Sequence, residues 1–207
     1  MTQKSKIWLS ISVAAVLWFI MFSPWTSPYL PFWSCMSASA IILITLSIFF
    51  DGSWLKKLRF TAKNILLGVA IAFVLWCVFY IGDKVSQLMF DFARPEVDAI
   101  YTLKSESENW IIGFTLLFLI GPAEELFWRG FIQAKLSDIY NPDAAFIITV
   151  ATYTIVHIWS FNFMLVMAAM VAGGFWGLLY RLKPNWLTAL VISHSLWDVA
   201  AFVLFPL

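Results

Sequence analysis

Long apolar runs alternate with short polar connections along the whole chain. Each run holds about 20 residues, which is the length that a helix needs to cross a hydrocarbon layer of ~30 Å. The pattern predicts seven membrane spans, at residues 7–24, 29–50, 65–82, 110–134, 144–162, 164–180 and 186–205. We therefore expect an all-α fold, a polytopic transmembrane helix bundle of about seven spans.

Two connections are longer than the others. In residues 51–64, apolar side chains such as Trp54 and Phe60 alternate with basic residues, which is typical of a helix lying on the inner leaflet. Residues 83–109 form an acidic loop that is placed to cap the bundle. The chain then divides into residues 1–109, with three spans, this interfacial helix and the outer loop, and residues 110–207, with four spans. We expect the two parts to form one structural unit.

Lysine and arginine are concentrated in every second connection, so the charge bias changes sign with each crossing. Such a bias places the basic connections in the cytoplasm. The sequence predicts a multi-pass protein of the inner (plasma) membrane, with the N-terminus in the cytoplasm and the C-terminus outside.

Composition supports a membrane protein. The chain is 62% hydrophobic and 12% charged, and this charge is too little to cover the surface of a soluble domain. The net charge of +1 provides no basic field for nucleic acid, so the predicted environment is the lipid bilayer. Cys35 and Cys77 fall inside apolar runs and are interpreted as small buried residues.

Few ionisable residues lie at membrane depth, where each charged side chain costs about 2.5–3.5 kcal/mol to insert. The two histidines of the chain are both among them. The set is Glu124, Glu125, Arg129, His157, His194 and Asp198.

Four of these residues are predicted to share one slab of the membrane. At about 1.5 Å of rise per residue, Glu124 lies ~10 Å and His194 ~12 Å from the inner edge of a ~30 Å core. Asp198 lies ~18 Å and His157 ~20 Å from the same edge. We expect a site at this level that opens toward the cytoplasm or sideways to lipid.

Helical spacing relates neighbouring residues in the fourth span. Glu125 and Arg129 lie one turn apart and can neutralise each other, whereas Glu124 points about 100° away and has no local partner. The Glu125–Arg129 pair taken alone is typical of an ion pair that joins helices. Pro122 removes a backbone donor and predicts a kink just before the acids.

The same spacing recurs in two other spans. Asp198 can orient the imidazole of His194 or join it in holding a ligand. Tyr153 can lie beside His157, which taken alone would be typical of a hydrogen-bonded interhelical residue. An unpaired acid, two imidazoles and a further acid on three helices favour a functional site.

These residues resemble the pattern of the CPBP intramembrane proteases, relatives of the CAAX prenyl endopeptidases and of bacteriocin-processing and immunity proteins. The family pattern EExxxR, aromatic-xxx-His and His-xxx-Asn/Asp is matched by EELFWR (124–129), YTIVH (153–157) and HSLWD (194–198). The resemblance covers residues 110–205 and implies that the C-terminal part is a CAAX-protease-like catalytic core. Tyr153 stands where the family usually has phenylalanine, and Asp198 stands where asparagine is common.

The resemblance implies an intramembrane endopeptidase that hydrolyses a membrane-associated peptide or protein tail. It implies Glu124 as a general base assisted by His157, and His194 with Asp198 as stabilisers of the oxyanion. The implied supporting residues are Glu125, Arg129 and Tyr153.

Several alternatives fit the same residues. An ionised Asp198 would repel an oxyanion, so it must be protonated, act through His194 or face a cation. Two histidines and carboxylates also form a ligand set that zinc accepts, so the cofactor is either none or a divalent metal held by Glu124, His157, His194 and Asp198. A catalytically inactive immunity or scaffold protein and a proton-relaying transporter are the remaining interpretations.

Overall fold

Seven long helices dominate the computed structural model, which describes all 207 residues and contains no strand. Each of the seven is long and apolar enough to cross a membrane: α1 (Gln3–Phe22), α2 (Phe32–Lys57), α3 (Ala62–Met89), α5 (Asn109–Ile139), α6 (Pro142–Ser160), α7 (Phe163–Leu182) and α8 (Pro184–Leu204). The short α4 (Ala93–Tyr101) lies between α3 and α5. The predicted all-α polytopic bundle of seven spans is confirmed.

Polar side chains fix where several helices begin. Thr61, Asn141 and Asn162 each accept a hydrogen bond from a backbone N–H in the first turn of the helix that follows. These caps satisfy donors that have no partner inside the helix. They start α3, α6 and α7 directly after short connections.

The predicted interfacial helix at residues 51–64 is not a separate element lying on the leaflet. Its first half, Gly52–Lys57, continues α2 as a 3₁₀ turn. Trp54 is 1% exposed, and its side chain lies against Gly130, where the absence of a side chain leaves room for the indole. Tertiary packing against α5 therefore overrides the amphipathic pattern.

The predicted outer loop is largely helical. α3 runs seven residues beyond the predicted end at 82, and α4 and a 3₁₀ turn (Thr102–Glu106) occupy much of the remainder. Glu96 fixes α4 to the connection between α6 and α7, because its carboxylate accepts from Met164 N and its carbonyl from Asn162 Nδ2. α4 thus closes over one end of the bundle.

Two close approaches place α8 between α3 and α5. A Cβ atom on Gly68 would lie 2.8 Å from the carbonyl oxygen of Ala189, and one on Gly121 would lie 2.7 Å from Ser195 Cα. Only glycine allows backbones to meet at this separation. The Gly121 contact brings His194, the neighbour of Ser195, against the carboxylates of α5.

The two ends of the bundle differ in charge. One end, here called the basic end, carries most of the cationic side chains: Lys4, Lys6, Lys56, Lys57, Arg59, Lys63, Lys135, Arg181 and Lys183. The other, here called the acidic end, carries α4 and six acids in residues 83–108, against Lys84, Arg94 and Lys104. The bundle therefore has the charge asymmetry that orients membrane proteins.

Candidate active site

Glu125 is the centre of a buried ionic cluster. Its Oε1 accepts hydrogen bonds from Arg129 Nη1 at 2.7 Å and from His194 Nδ1 at 3.0 Å. Glu125 and Arg129 are fully buried, and His194 is 3% exposed. Because a buried carboxylate needs compensating charge and hydrogen bonds, this cluster holds α5 and α8 together at membrane depth.

Arg129 extends the cluster to two more helices. Its Nη2 donates to the carbonyl oxygen of Gly173 at 2.9 Å, and the guanidinium lies 5.1 Å from the ring centroid of Tyr153 and 5.8 Å from that of Trp176. Trp176 in turn stacks on His194, with ring centroids 3.9 Å apart and planes 19° apart. The imidazole of His194 is therefore fixed by a hydrogen bond at one edge and by an indole on one face.

Glu124 takes no part in this ion pair. Its side chain points into the protein, where Oε2 accepts a hydrogen bond of 2.8 Å from the hydroxyl of Tyr153, and the residue is 6% exposed. The expected lack of a local ionic partner is thus what the structure shows. The hydroxyl of Tyr153, which a phenylalanine would lack, is the group that makes this contact.

His157 is held differently from what the resemblance implied. Its Nε2 accepts from the indole nitrogen of Trp18 at 3.0 Å, and its Nδ1 lies 2.7 Å from the carbonyl oxygen of Tyr153. The first contact makes Nε2 an acceptor, so Nδ1 carries the proton and donates. Both nitrogens are therefore bonded to protein atoms, and the predicted assistance of Glu124 by His157 stays a prediction.

Asp198 lies beside His194, with 3.5 Å between Oδ1 and Nε2. This separation is too long for a strong hydrogen bond. Since Nδ1 of His194 is already bonded to Glu125, Nε2 is the nitrogen that remains available to a bound molecule. The expected pairing of His194 with Asp198 is present, but Glu125 is the closer carboxylate.

Irregular helix turns surround these residues. In α5 the α-helical segment Gly121–Glu125 lies between two π-helical segments, Leu116–Ile120 and Leu126–Gln133. In α8 a π-helical segment, Val199–Leu204, begins directly after Asp198. Such turns are frequent at functional sites. The acids therefore lie between two wide turns, and the kink predicted from Pro122 stays a prediction.

A cavity of about 450 Å³ contains the candidate residues. Residues from all eight helices line it, and 27 of the 34 are hydrophobic. The ionisable side chains among them are Asp83, Tyr101, Glu124, Tyr153, His157, His194 and Asp198. A cavity of this kind suits a mostly apolar ligand held by a few polar groups.

The cavity extends from Glu124 toward the acidic end of the bundle. Its lining there includes Phe22, Trp33, Tyr101 and Leu103, which belong to the end of α1, the start of α2, α4 and the 3₁₀ turn that follows α4. The cavity therefore extends away from the basic end, and the expected opening toward the cytoplasm or sideways to lipid stays a prediction.

The residues proposed as zinc ligands do not form a metal site. No group of three or more His, Cys, Asp and Glu side chains is arranged to hold an ion. His157 directs both nitrogens at protein atoms, and His194 uses Nδ1 for Glu125. The donor set of Glu124, His157, His194 and Asp198 thus does not fit a zinc ion in this arrangement.

Two residues of the site were not found from the sequence. Trp18 of α1 binds His157, and Trp176 of α7 stacks on His194. Both are fully buried tryptophans with no sequence feature that separates them from the other tryptophans of the chain. Their contacts depend on how distant helices pack.

The fold and site together define a polytopic helical membrane protein with a carboxylate and imidazole cluster inside an apolar cavity. Residues 106–200 match the family model described as Rce1-like, type II CAAX prenyl endopeptidase. The match covers slightly less than half of the chain and includes all three motifs, which confirms the resemblance. No curated protein and no solved structure gave a significant match.

Proposed function

We propose that this protein is an intramembrane endopeptidase that cleaves a peptide bond in an apolar, membrane-associated segment. The observation that carries the proposal is the presence of Glu124 and the free Nε2 of His194 in one apolar cavity. The Rce1-like match supports CAAX-type protease activity for the chain.

In the proposed reaction, Glu124 removes a proton from a water molecule as the water attacks the scissile carbonyl carbon. The hydroxyl of Tyr153 donates to Oε2 and so fixes the orientation of this carboxylate. A positioned base of this kind contributes about 10²–10⁴-fold to a rate. Glu124 then returns the proton to the leaving amine as the C–N bond breaks.

His194 stabilises the negative charge that develops on the carbonyl oxygen. Because Nδ1 donates to Glu125, which orients the ring, Nε2 donates to the oxyanion when the ring is an imidazolium ion. Fixed donors act strongly where water is excluded. Asp198, whose Oδ1 lies 3.5 Å from Nε2, acts through His194 and makes no contact with the oxyanion itself.

His157 has a positioning role in this proposal. Its bonds to Trp18 and to the Tyr153 carbonyl fix the end of α6 against α1. This arrangement keeps the phenol of Tyr153 in reach of Glu124. No proton transfer is assigned to His157.

We further propose that the N-terminus is cytoplasmic, in an inner (plasma) membrane, because the basic end carries nine Lys and Arg side chains against three at the acidic end. The cavity then opens toward the outer face. A substrate would reach Glu124 from the outer leaflet.

Co-expression with candidate membrane-tethered proteins tests the function. We expect a processed band with the wild type and none with Glu124→Ala, at equal protein levels. Processing that survives Glu124→Ala would overturn the assignment and favour an immunity or scaffold function. The same assay on washed membranes with a chelator, then with added zinc, addresses the metal: we expect an unchanged rate in both.

A further inference from the structure

Asp83 is a buried carboxylate that the proposed reaction does not use. It lies on α3, outside the family-matched segment, is 7% exposed and lines the cavity near the acidic end. Its Oδ2 accepts from Gln87 Nε2 at 2.6 Å and from Lys84 Nζ at 3.2 Å, whereas Oδ1 has no partner. A buried acceptor without a partner is costly and calls for an explanation.

The position of Asp83 relates it to the proposed reacting groups. Phe79, one turn earlier on α3, packs on Trp197 of α8 with ring centroids 4.6 Å apart. Both helices run toward the acidic end, so Asp83 lies about two turns, ~10 Å, beyond the level of His194. An extended peptide covers this distance in about three residues.

The hydroxyl donors near Asp83 are already used. The hydroxyl of Ser86 donates to the Asp83 carbonyl at 2.9 Å, and that of Tyr101 donates to the Ala201 carbonyl at 2.8 Å. Arg94 binds Asp98 and the carbonyl of Leu207. This part of the cavity therefore has a free acceptor, whereas its two hydroxyl groups already donate to protein carbonyls, which favours a ligand that donates.

Lys84 can be displaced. Its side chain is 55% exposed, while that of Asp83 is 6% exposed, so the ammonium group contacts the carboxylate from the solvent side. Exposed lysine pairs are weakly held because the lysine retains its hydration and flexibility. A ligand cation can take its place and reach Oδ1 as well, without leaving the carboxylate unpaired.

We propose that Asp83 is a specificity-determining residue that binds a lysine or arginine side chain of the substrate, within about three residues of the cleaved bond of an otherwise apolar segment. This inference rests on the proposed function for the identity of the ligand as a peptide. It adds a charge requirement that an apolar cavity alone would not impose.

Binding of paired peptides tests the inference without cleavage. The full chain carrying Glu124→Gln is placed in phosphatidylcholine nanodiscs, and fluorescent leucine–alanine peptides carry one lysine or one norleucine, scanned along the sequence. Anisotropy gives the dissociation constants, with empty nanodiscs as the background. At one position we expect lysine to bind about tenfold more tightly than norleucine, the factor that a charge-assisted hydrogen bond provides.

Variants at the mouth of the cavity assign the effect to Asp83. Asp83→Asn should abolish the lysine preference and leave norleucine binding unchanged, whereas Asp98→Asn, which removes an exposed acid of the same end, should keep it. Lys84→Met removes the competing cation and should strengthen lysine binding severalfold, which gives a second test should Asp83→Asn fold poorly.

Three results would overturn the inference: an equal preference in Asp83→Asn, no lysine preference at any position, or no binding of either peptide. If the lysine preference depends on Asp83 but the wild type cleaves none of the peptides, the proposed function fails while the binding site stands. If cleavage requires Glu124 but does not depend on the lysine, the proposed function stands and the inference about Asp83 fails.

Discussion

Glu125 and His194 are joined by a hydrogen bond of 3.0 Å between Oε1 and Nδ1, which links α5 to α8 inside the bundle. The same oxygen also accepts from Arg129. One carboxylate oxygen thus neutralises a guanidinium and orients an imidazole. The EExxxR and HxxxD motifs therefore supply residues to one cluster that joins two helices, in addition to the pairs within each helix.

Arg129→Ala is expected to destabilise the protein strongly. The change leaves Glu125 buried without its guanidinium partner, a loss of about 3–5 kcal/mol. It also removes the bond to the Gly173 carbonyl. Thermal unfolding of the detergent-solubilised protein, followed by tryptophan fluorescence, should show a lower melting temperature.

The matched control for that change is Arg181→Ala. Arg181 forms an ion pair with Asp143 at the basic end, and its side chain is 31% exposed. Exposed pairs contribute about 0–1 kcal/mol, so the melting temperature should change little. Equal effects of the two substitutions would contradict the buried cluster.

Gly121→Ala is expected to separate α5 from α8. The new Cβ would lie 2.7 Å from Ser195 Cα, which is backbone and cannot rotate away. Overpacking of this kind costs about 1–3 kcal/mol and should also reduce peptide cleavage, because His194 follows the movement of Ser195. Gly113→Ala on the same helix meets no atom within 4 Å and should change neither quantity. A fully active Gly121→Ala protein would show that the contact does not position the site.

The sequence predicts the helices and the candidate residues because hydrophobic length and buried charge leave few choices. Runs of about 20 apolar residues must span, and an acid such as Glu124 at membrane depth must face the protein. Pairing within a helix, as for Glu125 and Arg129, follows from the 3.6-residue period.

Contacts between helices could not be predicted from these sequence patterns. The bond from Trp18 to His157 joins residues 139 positions apart, and no local pattern indicates it. Trp54 was expected at the membrane surface, but it is buried because Gly130 leaves a recess on α5. Asp83 was counted with the outer loop because the extension of α3 to Met89 was not predicted.

Tyr153→Phe should reduce cleavage and keep the fold. It removes the hydroxyl that donates to Glu124 Oε2 at 2.8 Å and retains the ring that packs beside Arg129. Loss of a hydrogen bond to a charged group corresponds to about a tenfold fall in kcat. Tyr140→Phe, at a half-exposed position that does not line the cavity, serves as the control. An unchanged kcat in Tyr153→Phe would show that the hydroxyl does not position the base.

The proposed orientation predicts which end of the bundle is accessible from outside the cell. In a protein whose Cys35 and Cys77 are replaced by alanine, Ser105→Cys at the acidic end should react with a membrane-impermeant maleimide in intact cells. Ser53→Cys at the basic end should react only after the cells are opened. The reverse labelling would place the cavity mouth in the cytoplasm.

The central claim is that Glu124 is the base of a peptide hydrolysis reaction, and it is tested most directly by the cleavage rate of the purified Glu124→Gln protein. Glutamine retains the shape of the side chain and its capacity to accept from Tyr153, so the melting temperature should stay close to that of the wild type. The rate on an apolar quenched peptide should fall at least ~100-fold. A folded Glu124→Gln protein that cleaves the peptide at the wild-type rate would contradict the account.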